Sequence, residues 1–317
     1  MRVVVIGGTG HIGTFLVPRL VKSGHAVLNV SRQRRQPYVP DRAWERVEQI
    51  TIDRAESEAA GEFGDQVRQL DPDVVIDLTC YTLESARQLV EGLRSRVRHF
   101  LHCGTIWVHG PAIETPLTEE TERTPIDEYG KRKAAIEDYL LTEARERGFP
   151  ATILHPGHLV GPGWIPINPA ANFNLQVFAK LARGAEVLLP NLGRETLHHV
   201  HADDVAQAFE LSVARPATAI GESFHVVSPA ALTLWGFAAV SASWFGRDAR
   251  VRFLPWEEWR RSVPEKDAQV TWGHIFRSPN CSIEKAEARL GYRPRYRSAE
   301  AVREALFRLI EDGSLQV

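Results

Sequence analysis

The apolar positions of the first half of the chain fall into two alternating textures. Short apolar runs, at 2–6, 26–30, 47–52, 74–78, 99–103 and 151–155, read as strands. Between them, segments at 10–23, 62–70, 83–94 and 129–147 repeat their apolar residues at helical spacing. In the first of these Ile12, Phe15, Leu16 and Leu20 fall at i, i+3, i+4 and i+8, which lays one stripe against a sheet. Pro18 lies too deep for a first turn, so a kink or a shifted start is expected there. Strands that are apolar on both faces need helices on both sides. Joined by right-handed crossovers, they predict a doubly wound parallel α/β sheet.

From about residue 157 the texture changes to loops punctuated by proline and glycine, shorter helices and most of the tryptophans. We expect a dinucleotide-binding domain over 1–156 and a smaller α/β lobe over 157–317 that mainly binds substrate, with some segments returning to the first domain. Stretches such as Trp164-Ile165-Pro166 and Ser278-Pro279 should be loops, because proline has no ladder donor. The tail 312–317 reads as prone to fray.

Composition sets bounds on this picture. The 317 residues are 44% hydrophobic and 25% charged, enough for a sizeable core. The 32 arginines and 6 lysines are balanced by 40 acids, leaving a formal charge of -2 and no electrostatic footprint for nucleic acid. The first strand begins at once and no apolar stretch approaches the ~18 residues of a membrane span, so a cytoplasmic protein is expected. Cys80, Cys103 and Cys281 are widely spaced, which suits reduced thiols in a core.

Gly7, Thr9, Gly10, His11, Ile12 and Gly13 lie between the first strand and the first helix. Glycines there permit a tight turn, and free N–H groups at the helix start receive pyrophosphate. The second strand ends without the carboxylate that would hold an unphosphorylated ribose; Ser31 and Arg32 stand there, with Arg34 and Arg35 nearby. Guanidinium suits a 2′-phosphate, so NADP is the expected cofactor, with NAD possible. Asp53 is a candidate for the adenine edge or a simple loop cap, and Leu78 and Thr79 close the fourth strand beside the same site.

Tyr129 and Lys133 are four apart and share a helical face. With 6 Tyr and 6 Lys in 317 residues, chance rarely makes such a pair. A phenol with an ordinary pKa near 10 needs a cation to act at neutral pH, and Lys133 is placed to supply it. Tyr129 could then exchange a proton with a substrate oxygen while hydride moves at the adjacent carbon.

With these motifs in this order, the chain resembles the extended short-chain dehydrogenase/reductase superfamily, the group of epimerases and dehydratases built on a Rossmann fold. Cys103 to Gly110 is similar to that family's catalytic strand end, which puts Thr105 at the catalytic hydroxyl. His155 to Gly163 resembles its loop lining nicotinamide and substrate, implying His155, Pro156 and His158 as contacts. His199 to Ala206 and Ile283 to Pro294 resemble two further signatures. The resemblance also implies a homodimer formed through the helices at 83–94 and 129–147.

The chain departs from the family at informative places. Ile106 and Trp107 stand where dehydratases carry an acid pair, which argues against a dehydratase. Leu197 stands where epimerases of nucleotide sugars carry a phosphate-binding arginine, and only Arg277 lies near the second such position. Histidines cluster in segments expected at the cleft, but His199 and His201 share a strand face with His198 opposite and no sequence-near carboxylate or thiol completes a set, so no metal is expected. A polar, hydroxyl-rich substrate is expected instead, read by His109, His199 and Asn172, with Trp107 or Trp164 as a stacking wall. The reading is an NAD(P)-dependent oxidoreductase or epimerase acting on a secondary alcohol or ketone of a sugar or sugar-like compound. Its alternatives are a nucleotide-sugar epimerase proper and a non-catalytic cofactor-sensing or RNA-associated relative.

Overall fold

The computed structural model describes residues 1–317. Six strands of the first half pair in parallel: β1 (Arg2–Ile6), β2 (Ala26–Ser31), β3 (Glu48–Thr51), β4 (Val74–Asp77), β5 (His99–Cys103) and β6 (Ala151–Pro156). A seventh, Ser223–Val226, joins β6, giving the order Ser223–Val226, β6, β5, β4, β1, β2, β3. The chain order reverses on either side of β1. The crevice over the carboxyl ends of β1 and β4 is therefore the topological switch point at which such sheets take ligands.

The period-two alternation of β1 divides the core. Val3 and Val5 face a cluster built with Leu16 and Leu20 of helix His11–Lys22 and Phe209 of helix Ala202–Ala214. Val4 and Ile6 face the opposite cluster, with Leu89 of helix Leu83–Leu93 and Leu140 of helix Glu128–Arg147. A further core, with Phe178, Leu189, Phe237, Trp259 and Leu306, lies in the second half of the chain.

Two expectations need correction, and one strand went unread. Helix His11–Lys22 neither starts late nor breaks at Pro18; eight of its residues, Pro18 included, are buried. Packing on that scale offsets the roughly 3 kcal/mol that an interior proline costs. Strand Ser223–Val226 escapes detection because four residues carry no readable period, yet all four are buried. The tail does not simply fray, since Leu315 packs into the second core and its N–H bonds Leu309 O at 2.9 Å. The three cysteines are free and buried, and no helix is long and apolar enough to cross a membrane.

Candidate active site

The switch point opens into a cleft of about 1290 Å³. At one end the turn after β1 is shaped for close approach. Gly7 holds φ +87°, and a side chain on Gly13 would run into the Gly8 carbonyl. Gly8 N–H is taken by Asn29 Oδ1 at 2.9 Å and Gly10 N–H by Gly7 O at 3.0 Å. The N–H groups of His11, Ile12 and Gly13 open the helix without a partner, a ready cradle for an anion. Burial and nearby Arg35 push the His11 imidazole down to about 2, so the ring beside this cradle is neutral.

Ser31, Arg32, Arg34, Arg35 and Asp53 line the neighbouring part of the cleft. Arg32 and Arg35 make no ion pair, and Arg34 only approaches Asp53, at 3.8 Å. Asp53 caps helix Arg54–Ala59 through the Ala55 N–H at 3.0 Å. Close-approach glycine, free N–H groups and uncommitted guanidiniums fit a dinucleotide carrying an additional phosphate. Leu78 and Thr79 border the same space.

At the centre Asp127 caps helix Glu128–Arg147, and its first turns present Tyr129 and Lys133 to the cleft. Tyr129 is 41% exposed, whereas Lys133 is buried and donates from Nζ to Cys80 O and Cys103 O, both at 2.7 Å. Burial lowers the Lys133 ammonium. Burial, with Cys103 and Tyr81, pushes the Tyr129 phenol well up, and the nearby Thr105 hydroxyl opposes this. The expected lowering of the phenol by Lys133 therefore does not arise from these side chains alone, because the ammonium is committed to two carbonyls. Thr105 ends the β5 connection, and its Oγ1 accepts from Trp107 N–H at 3.3 Å. Its own O–H remains free to donate.

The far end mixes aromatic and apolar side chains with the polar Gln269, His158, His274 and Arg277. Trp107 stands edge-on to Tyr129, His158 and His274, with Ile165, Ile167, Phe173 and Val270 around it. Arg277 covers Trp107 and bonds Asp127 Oδ2 at 2.6 Å.

The cleft thus brings together Gly7, Thr9, Gly10, His11, Ile12, Gly13, Ser31, Arg32, Asp53, Leu78, Thr79, Thr105, Trp107, Tyr129, Lys133, Pro156, His158 and Trp164. Trp164 packs on His11, at the glycine turn and away from the substrate end. Four candidates do not line the cleft. His109 turns inward on the 3-10 segment Ile106–His109 to meet His225, Nε2 to Nε2 at 2.7 Å. Asn172 is buried in a knot with Asn168 and Thr271 that supports the preceding loop. His199 lies behind His158, across a parallel pairing with Phe237 at its back. His155 points under Thr105.

Several lining residues carried no readable signal. Arg54 is locked to Asp77 at 2.7 Å in the wall, and Tyr38, Tyr81, Phe173 and His274 arrive from loops or distant helices. Asp127 carried a signal that the sequence reading did not use, an aspartate in the capping position just before a helix.

Fold and cleft together define a dinucleotide-binding protein of the extended short-chain dehydrogenase/reductase class. The chain belongs to the NAD dependent epimerase/dehydratase family, whose sequence model matches residues 3–226. It is 29% identical over 208 residues to the 2'-dehydrokanamycin reductase of Streptomyces kanamyceticus, covering 66% of this chain and 56% of that protein, just over half its length. It is 24% identical over 321 residues to the chloroplast stem-loop binding protein of 41 kDa b of Arabidopsis thaliana, covering 95% and 77%. The UDP-glucose 4-epimerase of Thermotoga maritima, solved with UDP-glucose, shares the fold with a TM-score of 0.74 at 20% identity, covering 98% of this chain and 99% of that one.

Proposed function

We propose that the protein is an NADP-dependent oxidoreductase that moves hydride at a secondary alcohol or ketone of a sugar or sugar-like substrate. The observation that carries this reading is that Tyr129, Lys133 and Thr105 line one cleft with the glycine turn. A bound nicotinamide supplies or accepts the hydride. The N–H groups of His11, Ile12 and Gly13 would hold the pyrophosphate, Arg32 with Arg34 and Arg35 would hold the 2′-phosphate, and Lys133 would hold the ribose. The Thr105 O–H polarises the substrate oxygen, and Tyr129 gives that oxygen a proton as the carbon gains hydride.

The substrate end favours a sugar without a nucleotide diphosphate. Its one guanidinium, Arg277, is committed to Asp127 and Trp107, and Leu197 is buried. A diphosphate there would forgo charge-assisted bonds worth about 1.5–3 kcal/mol each. The first relative, by name a reductase of 2'-dehydrokanamycin, supports the same reading. Assembly as a homodimer through helices Leu83–Leu93 and Glu128–Arg147 belongs to this proposal and is measurable by light scattering.

The test is NADPH oxidation, followed by absorbance, against parallel panels of keto sugars and nucleotide sugars. Turnover of a keto sugar that is lost in Tyr129→Phe is expected. Failure to bind NADPH, or turnover indifferent to Tyr129→Phe, rejects the reading.

A further inference from the structure

A line of buried polar groups runs beneath the cleft and ends at Thr105. Thr105 N–H donates to His155 Nδ1 at 2.9 Å, and His155 Nε2 meets Glu137 Oε1 at 2.9 Å. Glu137 in turn accepts from Arg123, Nε to Oε2 at 3.1 Å and Nη2 to Oε1 at 2.7 Å. Arg123 is anchored on Glu119 O at 2.6 Å. His155 is 0% and Glu137 2% exposed, so these bonds form out of reach of water. Burial works against the Glu137 charge, but His155 and Arg123 beside it hold its carboxyl well below the usual range.

The directions of these bonds fix the ring. A backbone amide can only donate, so Nδ1 must accept and the ring proton must sit on Nε2, facing the carboxylate. A charged imidazole would set one N–H against another at Thr105. The ring packs flush against the backbone, since any side chain on Gly104 would collide with it. Tyr129, Lys133 and Glu137 follow at i, i+4 and i+8 on helix Glu128–Arg147. One helical stripe thus carries the proton donor, the ammonium and the anchor of the imidazole under the third catalytic group.

We propose that His155 is a positioning residue: its neutral ring, locked in the Nε2–H tautomer by Glu137, holds the Thr105 amide and so aims the Thr105 hydroxyl into the cleft beside Tyr129. This rests on Thr105 acting at the substrate oxygen, as proposed above. His155 touches neither substrate nor cofactor and acts only through Thr105.

Two readouts need no turnover. Long-range ¹⁵N–¹H correlation of the wild type, with the His155 ring identified by its loss in His155→Asn, should show a protonated Nε2 and a bare Nδ1. Hydrogen exchange at the Thr105 amide should be slow in the wild type and in His155→Asn, whose amide oxygen can replace Nδ1. Exchange should be at least about 10-fold faster in His155→Phe, which keeps the ring shape and removes the acceptor. A protonated Nδ1, or equal exchange in both variants, overturns the proposal; the tautomer decides it even if His155→Phe does not fold.

The kinetic arm uses NADPH with 1,3-dihydroxyacetone as the probe ketone. His155→Phe should lower kcat about 10–100-fold at unchanged NADPH affinity, with His155→Asn recovering most of the loss. Adding His155→Phe to Thr105→Val should cost nothing further, since a positioning residue has nothing left to aim. Independent losses in the double variant overturn the proposal. A wild type inert toward the probe counts against the oxidoreductase reading alone, because the tautomer and the exchange rates judge His155 without turnover.

Discussion

The Arg277 guanidinium lies 3.8 Å from the centroid of the Trp107 ring, and its Nη2 is 2.6 Å from Asp127 Oδ2. Asp127 also caps helix Glu128–Arg147 through Gly130 N–H at 2.7 Å. One carboxylate therefore ties helix Glu265–Arg277 to the start of the helix that carries Tyr129 and Lys133. Arg277→Met removes that tie and uncovers Trp107. It is expected to destabilise the protein by about 1–3 kcal/mol in urea unfolding, because Asp127 keeps partial access to water. In the wild type, UDP should leave the melting temperature unchanged. A marked rise would mean that the site still holds a diphosphate.

Tyr129→Phe should reduce kcat by about 10²–10⁴-fold, the range for loss of a general acid, while NADPH binding stays within about twofold. Parallel measurement of turnover and NADPH fluorescence separates the two. Equal losses in both would recast Tyr129 as a cofactor contact.

Lys133 makes two buried bonds to the carbonyls of Cys80 and Cys103, each at 2.7 Å. Lys133→Met leaves both acceptors unsatisfied and is expected to cost about 1–3 kcal/mol per carbonyl in stability as well as most of the turnover. Thermal unfolding alongside kinetics checks this, and an undisturbed melting temperature would contradict the bonding described.

Replacing Arg32, Arg34 and Arg35 together with alanine should weaken NADP binding at least about 10-fold, each guanidinium–phosphate bond being worth up to ~1.5–3 kcal/mol, and leave NAD binding nearly unchanged. Calorimetric titration with each cofactor decides it. Equal weakening of both would place these arginines elsewhere than at a 2′-phosphate.

Stability should fall in mild acid. Burial pushes His99, His109, His198 and His274 down to about 4, below the ordinary 6.5. Between these values the unfolded chain binds protons that the folded chain refuses. The stability they contribute is therefore complete above pH 6.5 and is lost as pH falls toward 4, each histidine adding up to about 1.4 kcal/mol per pH unit. The urea midpoint should drop sharply between pH 7 and pH 5 and change little between pH 7 and pH 8. A flat midpoint across the acid range would show that these rings charge without unfolding.

Much of this architecture was legible because its determinants are local. The valine-rich run of β1, the glycines behind it, and a phenol four residues before an ammonium each state their conformation within a few positions. Periodicity of 2 and 3.6 then dictates which faces are buried, and right-handed crossovers dictate the sheet.

Side-chain direction at the ends of elements was not legible. His109, His155, His158 and His199 look alike in sequence, yet only His158 lines the cleft; the others are turned by partners that include Glu137 and, 116 positions from His109, His225. The Thr105–His155 bond spans 50 positions and the Arg277–Asp127 bond 150. Chain composition and spacing alone determined the sheet, the glycine turn and the Tyr129–Lys133 pair, because each follows from backbone geometry. Only packing decided which polar groups face the cleft and which hold the others in place, because a buried donor or acceptor takes whatever partner the folded chain brings within reach.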